Sequence, residues 1–156
     1  MPKQDSPRRL SRRWTAWLGV AGFTFGLAAS VSAQTSNPVM IRAFDYAFQA
    51  PDTISAGLTM ISLQNDGAMR HELVLARLKP GHTIAELAAA KTSAERQALQ
   101  DGLIGLILAE PGQKAMGSLV ADLITGRTYV LLCTLRDAPD QPPHFAQGMV
   151  TVVQVR

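Results

Sequence analysis

Apolar and polar residues alternate in several short segments between residue 40 and the end of the chain. This period of two is typical of half-buried strands, because successive side chains of a strand point to opposite faces. Clusters of Asn, Asp, Gly and Pro separate the segments, as in a sandwich or barrel of about seven strands. The predicted strands cover residues 40–48, 58–64, 71–78, 118–123, 128–134 and 149–155.

The alternation also assigns side chains to faces. In the first segment, 40–48, it places three aromatic residues on one face: Phe44, Tyr46 and Phe48. In the segment 128–134 the shared face carries Tyr129, Leu131 and Cys133. In 71–78 it carries His71, Leu73 and Leu75. Cys133 therefore ends one strand, and His71 begins another directly after a turn.

Residues 83–110 have a different pattern. Thr83-Ile84-Ala85-Glu86 matches the S/T-x-x-E capping box, and good helix formers follow it. Thr92-Ser93-Ala94-Glu95 repeats that start. We therefore predict an all-β sandwich with a helical insertion over about residues 83–110.

The N-terminal segment, residues 1–33, has the pattern of an export signal. A basic stretch ends at Arg13, an apolar stretch follows, and Val31-Ser32-Ala33 supplies small residues for cleavage. The apolar stretch is shorter than the ~20 residues of a membrane-spanning helix. We expect a signal peptide over 1–33 and one folded domain over 34–156, periplasmic or secreted, without stable membrane insertion after cleavage.

The route of export has alternatives. An ordinary secretory leader is the preferred interpretation, and Ser11-Arg12-Arg13-Trp14 loosely resembles a twin-arginine signal. An uncleaved anchor is the remaining alternative.

The composition supports a single folded domain and argues against nucleic-acid binding. The chain has 156 residues, of which 47% are hydrophobic and 17% charged, as in ordinary globular proteins. Its net charge of +3 comes from the leader, where five basic side chains stand against one acidic side chain. The remaining ten basic and eleven acidic groups nearly cancel, which leaves no basic surface for a nucleic acid.

The chain contains one cysteine. This excludes an intramolecular disulfide and any metal site made of cysteines alone. Cys133 is followed by His144 and Met149 in the spacing Cys-x10-His-x4-Met. A thiolate, two imidazoles and a thioether suit copper, and two His with one Cys and a weak axial Met form a blue-copper site. We favour metal binding over separate packing roles for His71, Cys133, His144 and Met149.

These residues resemble the cupredoxin family of plastocyanin and azurin. Asn65 to His71 resembles the turn that delivers the first histidine of that family. Tyr129 to Cys133, with His144 to Met149, resembles its C-terminal copper loop. The resemblance implies a Greek-key β-sandwich that binds one type 1 copper ion. It implies that His71, Cys133, His144 and Met149 are the ligands, with Met149 in the axial position.

The chain differs from the family at two points. The loop between Cys133 and His144 has ten residues, longer than usual. The position after the first histidine, where many members carry Asn, holds Glu72.

The resemblance implies a one-electron carrier that meets redox partner proteins by transient contact and acts as a monomer. We expect the docking patch to comprise Pro143, Phe145 and Ala146 around an exposed edge of His144. Copper transfer or storage is one alternative, and a metal-free partner-binding module is another. An enzyme with Cys133 as nucleophile ranks last, because no third orienting residue or oxyanion hole can be identified. We therefore expect no enzymatic activity.

Overall fold

The computed structural model describes residues 36–156, which contain nine strands, two short helices and one turn of 3-10 helix. The predicted signal peptide lies outside the described residues. The elements are β1 (Asn37–Phe44), β2 (Ala47–Gln49), β3 (Thr53–Ile54), β4 (Gly57–Asn65), β5 (His71–Leu78), α1 (Ile84–Ala89), α2 (Ser93–Leu99), β6 (Gln100–Ala109), β7 (Leu119–Leu123), β8 (Thr128–Leu132), the 3-10 helix (His144–Gln147) and β9 (Val150–Val155).

The strands form two sheets of mixed direction. One sheet has the order β2-β1-β4-β7, in which β1 runs parallel to β4. The other has the order β3-β9-β8-β5-β6, in which the pairs β9-β8, β8-β5 and β5-β6 are antiparallel and β3 runs parallel to β9. This arrangement confirms the predicted all-β sandwich.

The main core lies between the two sheets. In β4 the predicted alternation is found, with Thr59, Ile61 and Leu63 almost fully buried. In β8 the side chains of Tyr129 and Leu131 enter the same core, and Cys133 joins them just beyond the end of the strand. The period of two therefore identifies the inward face of both sheets.

Strand β5 is buried on both faces, because α1 and the 3-10 helix cover the outer side of its sheet. A second cluster there joins Val74 and Val130 of the sheet to Leu87 of α1 and Phe145 of the 3-10 helix. Both predicted capping boxes are present. The Oγ1 atom of Thr83 accepts from the N–H of Glu86 over 3.2 Å, and Thr92 and Glu95 make the same exchange.

The helical insertion is shorter than predicted, because residues 100–109 form strand β6. This strand pairs antiparallel with β5, from His71 opposite Ala109 to Leu78 opposite Gln100. Gly102 adopts a φ of +105°, which a helix does not allow. A Cβ atom on Gly105 would lie 2.5 Å from the Leu119 side chain of β7, which belongs to the other sheet.

The prediction of one continuous strand over residues 40–48 is also wrong. The chain turns at Asp45 and Tyr46 and pairs back on itself, with Phe44 opposite Ala47. Tyr46 has a φ of 63°, the left-handed conformation that a tight turn requires and that a continuing strand excludes. Consequently Phe44, Tyr46 and Phe48 do not share one strand face. Within residues 36–156, none of the helices is long and apolar enough to cross a membrane.

Candidate metal centre

His71, Cys133 and His144 come together at one end of the sandwich. Their nearest ligand atoms all lie within 4.8 Å of one another. The Nδ1 atom of His144 is 3.4 Å from Sγ of Cys133 and 3.2 Å from Nδ1 of His71. All three side chains are buried, with at most 1% of their surface exposed. Two imidazole nitrogens and one sulfur thus face a common point out of contact with bulk water.

Backbone hydrogen bonds bring His144 back to Cys133 across the ten-residue loop. The N–H of His144 donates to the carbonyl of Leu135 over 2.8 Å, and that of Phe145 donates to the carbonyl of Cys133 over 2.8 Å. These bonds close the neck of the loop. The extra residues of the loop therefore lie outside these hydrogen bonds, and the side chains of Cys133 and His144 remain adjacent.

Met149 is fully buried and belongs to the same core cluster as Cys133. Its N–H donates to the carbonyl of His144 over 2.9 Å, and its own carbonyl accepts from the N–H of Cys133 over 3.2 Å. The backbone of Met149 is thus fixed to two of the three converging residues. Its role as an axial ligand stays a prediction.

Each histidine has its outer nitrogen bound to an aspartate. The Nε2 atom of His71 lies 3.0 Å from Oδ1 of Asp45, and that of His144 lies 2.8 Å from Oδ1 of Asp137. An ionised carboxylate only accepts hydrogen bonds, so both histidines carry their hydrogen on Nε2. In a neutral imidazole the Nδ1 lone pair is then free, and both lone pairs point at the common centre.

The protonation states of these groups follow from their surroundings. The pKa of Asp45 is lowered chiefly by the backbone N–H of Ala68, and the pKa of Asp137 chiefly by the hydroxyl of Tyr46, with a further contribution from the histidine in each case. Burial lowers the pKa of His71. Both carboxylates are therefore favoured in the ionised form, and burial favours the neutral form of His71.

Burial also raises the pKa of the Cys133 thiol, against a smaller opposing effect of the Glu72 backbone N–H. A buried thiolate needs a positive partner. The group of one buried thiol and two imidazoles therefore matches a cation that displaces the thiol proton.

Glu72 connects the beginning of β5 to the chain after β8. Its N–H donates to Sγ of Cys133 over 3.5 Å. Its carboxylate accepts from the N–H of Thr134 over 3.0 Å and also from the Thr134 hydroxyl. Glu72 therefore braces the cysteine strand from the position at which the sequence departs from the cupredoxin pattern.

The expected docking patch around an exposed histidine edge is wrong. His144, Phe145 and Pro143 are all buried, and only Ala146 of that patch is exposed. Asp137 covers the outer nitrogen of His144, and Phe145 packs under the helices. His144 instead lines a shallow surface depression together with Met69, Arg70, Leu135, Arg136 and Asp137.

Two solved structures that superpose on this chain identify the fold. Reduced auracyanin from Roseiflexus castenholzii superposes with a TM-score of 0.50 at 21% identity, covering 79% of this chain and 99% of that one. Auracyanin B superposes with a TM-score of 0.52 at 20% identity, covering 81% of this chain and 93% of that one. Auracyanins are cupredoxins. The chain has the cupredoxin fold.

These superpositions confirm the predicted sandwich fold. No protein-family model matches the sequence, and no curated protein matches it. The assignment of metal-binding residues in this cupredoxin-fold domain therefore rests on their geometry. That geometry brings His71, Cys133 and His144 together as a set that could hold one ion.

Proposed function

We propose that this protein is an exported copper-binding electron carrier. Nδ1 of His71, Nδ1 of His144 and Sγ of Cys133 would hold one type 1 copper ion, and Met149 would be the weak axial ligand. The observation that carries the proposal is the convergence of two imidazole nitrogens and one thiol sulfur within 4.8 Å, buried at one end of the sandwich.

The ligand chemistry favours copper. Two imidazoles and a thiolate with a distant thioether are the ligand set of blue-copper sites, whereas carboxylate and water ligands suit magnesium, calcium or manganese. Asp45 and Asp137 are nearby, but each is engaged with an outer histidine nitrogen and points away from the common centre. The nearest donors to that centre are therefore nitrogen and sulfur.

The burial of the ligands favours electron transfer over substrate chemistry. His71, Cys133 and Met149 have no exposed surface, so a substrate has no path to the ion. When bound, copper would supply the one-electron change between Cu(I) and Cu(II). The protein residues would hold the ligands in place and exclude water, which keeps reorganisation between the two oxidation states small.

The surface depression beside His144 is the proposed site of transient contact with redox partners. Met69 and Leu135 give it an apolar part, and its charged groups are Arg136, Asp137 and Arg70, which is paired with Glu110. It replaces the patch expected from the sequence as the nearest surface to a ligand. The location, periplasmic or secreted, and the monomeric state rest on the predicted leader and on the family resemblance.

The proposal is tested by adding Cu(II) to the purified protein and recording the visible spectrum. We expect one copper ion per chain by native mass spectrometry and an intense thiolate-to-copper band. Cys133→Ser should lose the band, and Met149→Leu should shift it. Met69→Leu is the matched control, because Met69 lies near the site without being a proposed ligand.

Two outcomes would contradict the proposal. Absence of bound copper in the native mass spectrum would leave a metal-free module as the function. Copper bound without the visible band would indicate transfer or storage through a different ligand set.

A further inference from the structure

We infer that Asp45 and Asp137 are positioning residues that orient both histidines and favour the oxidised state of the copper ion. The inference rests on the proposed function, because it concerns the same site. Each aspartate would fix its histidine with Nε2 protonated and Nδ1 facing inward. Each would also place a negative charge one imidazole ring away from the ion.

Asp45 is itself held rigidly in the orientation that meets His71. Its carboxylate accepts from the N–H of Ala68 over 3.0 Å and from the N–H of Met69 over 3.1 Å. Both N–H groups belong to the turn between β4 and β5, the turn that ends at His71. The carboxylate thus has three donors at fixed positions, two from the backbone and one from the imidazole.

Gly67 leaves the space that this contact needs. A Cβ atom at that position would overlap Oδ1 of Asp45 and would lie 3.0 Å from Nε2 of His71. Only a residue without a side chain therefore allows carboxylate and imidazole to meet beside the turn. The absence of a side chain at Gly67 is thus a second observation, besides the hydrogen-bond distance, that supports the contact between Asp45 and His71.

Asp137 is oriented by Tyr46, the residue next to Asp45. The Tyr46 hydroxyl donates to Oδ2 of Asp137 over 2.5 Å, which leaves Oδ1 for His144. The Tyr46 ring also meets the His144 ring edge to face, with centroids 5.1 Å apart. The tight turn between β1 and β2 therefore contacts both histidines, His71 through Asp45 and His144 through Tyr46.

The chemical consequence follows from the charges. A carboxylate that accepts the Nε2 hydrogen makes the imidazole a stronger donor at Nδ1. A stronger donor and a nearby negative charge both stabilise Cu(II) more than Cu(I). Removing either carboxylate charge should raise the reduction potential, and removing both should raise it further.

The first experiment uses the metal-free protein, so that it does not depend on copper. Nitrogen-15 NMR of the imidazole rings should show both histidines with hydrogen on Nε2. Asp45→Ala and Asp137→Ala, which remove the acceptor, should each reduce that preference at the paired histidine alone. Gly67→Ala should have the effect of Asp45→Ala while the carboxylate charge remains. Unchanged tautomers in all three variants would overturn the positioning role.

The second experiment measures reduction potentials of the copper-loaded protein. Asp45→Asn and Asp137→Asn keep the side-chain shape and an acceptor oxygen but remove the charge. Each should change the ratio of oxidised to reduced protein at a fixed potential about tenfold toward the reduced form, a rise of about 59 mV. Asp140→Asn is the matched control, an exposed aspartate of the same loop.

The outcomes separate this inference from the proposed function. If the wild-type protein binds copper with the visible band, but both Asn variants have the potential of Asp140→Asn, the charge effect is refuted and the copper site stands. If the wild-type protein binds no copper, the proposed function and the charge effect fail together. The tautomer measurement then still decides whether the aspartates orient the histidines.

Discussion

The backbone N–H of Glu72 donates a hydrogen bond to Sγ of Cys133 over 3.5 Å, although the two residues are 61 positions apart. The Glu72 carboxylate continues the connection to Thr134, the residue after the cysteine. Two hydrogen bonds therefore join the beginning of β5 to the chain just after β8, one through the backbone of Glu72 and one through its carboxylate. Glu72, the residue after His71, thus braces the end of the cysteine strand.

Removal of this carboxylate should destabilise the protein. Glu72→Ala leaves the N–H of Thr134 without its acceptor, and we expect the free energy of unfolding to fall by about 1–3 kcal/mol. Glu72→Gln keeps an acceptor oxygen and should lose less. Urea unfolding of the metal-free protein measures both. The exposed Glu110→Gln should stay within about 0.5 kcal/mol of wild type, and equal losses in the two Glu72 variants would contradict the role of the acceptor oxygen.

Gly148 should tolerate no side chain without a loss of stability. It has a φ of +115°, and a Cβ atom there would lie 3.4 Å from the carbonyl oxygen of Tyr46. Gly148→Ala should cost about 1–2 kcal/mol of unfolding free energy, the penalty of a left-handed conformation. Ala146→Ser, two residues earlier and exposed, is the control and should be nearly neutral. Thermal and urea unfolding of the three proteins would show the difference, and an unchanged Gly148→Ala would refute the strain.

The guanidinium of Arg96 links α2 to the loop that carries His144. Its central carbon lies 4.4 Å from the centroid of the Phe145 ring. A double-mutant cycle of Arg96→Met with Phe145→Leu should give a coupling free energy of about 0.5–2 kcal/mol. Arg96→Met keeps the apolar stem, so the coupling reports the charge on the ring. The same cycle with Arg42→Met, on the other sheet, should be additive, and additivity for Arg96 would exclude the cation–π contact.

Acid should weaken the two capped helices. Backbone N–H groups of Thr83 and Thr92 hold the pKa of Glu86 and Glu95 below the ordinary value of 4.5. A lowered folded-state pKa means that each group stabilises the domain above its unfolded pKa. This contribution is lost as the pH falls through the folded-state pKa. Urea unfolding from about pH 6 to about pH 3 should therefore show a steeper loss in wild type than in Glu86→Gln/Glu95→Gln, and parallel profiles would contradict this.

Copper removal should lower the melting temperature. A ligand that binds only the folded state adds about 2.7 kcal/mol of stability when its free concentration is 100 times its dissociation constant. Calorimetry of loaded and stripped protein measures the difference. Cys133→Ser should remove most of it, because the thiolate is the ligand that compensates the ionic charge. A copper-independent melting temperature in wild type would argue against a native-state site.

The sequence alone determined the features that depend on local chemistry. The period of two in residues 58–64 and 71–78 identifies strands, because alternation is enforced by the extended backbone itself. The capping boxes at Thr83 and Thr92 predict both helix starts, because their hydrogen bonds stay within four residues. The ligand types at His71, Cys133, His144 and Met149 predict copper chemistry for the same reason: donor identity is a property of the side chain.

The tertiary structure decided everything that depends on residues far apart in the chain. Residues 100–109 pair with β5 and form a strand, although their mixed Leu, Ile and Gly content is compatible with either a helix or a strand. Contacts between separate parts of the chain decide three features of the site: the left-handed turn at Tyr46, the burial of His144 and the aspartates at Nε2 of both histidines. The residues in these contacts are between 7 and 91 positions apart in the sequence. Such contacts are fixed by how the two sheets pack. The single cysteine is the residue on which the sequence-based copper prediction depends, but its placement beside His71 and His144 exists only in the folded chain.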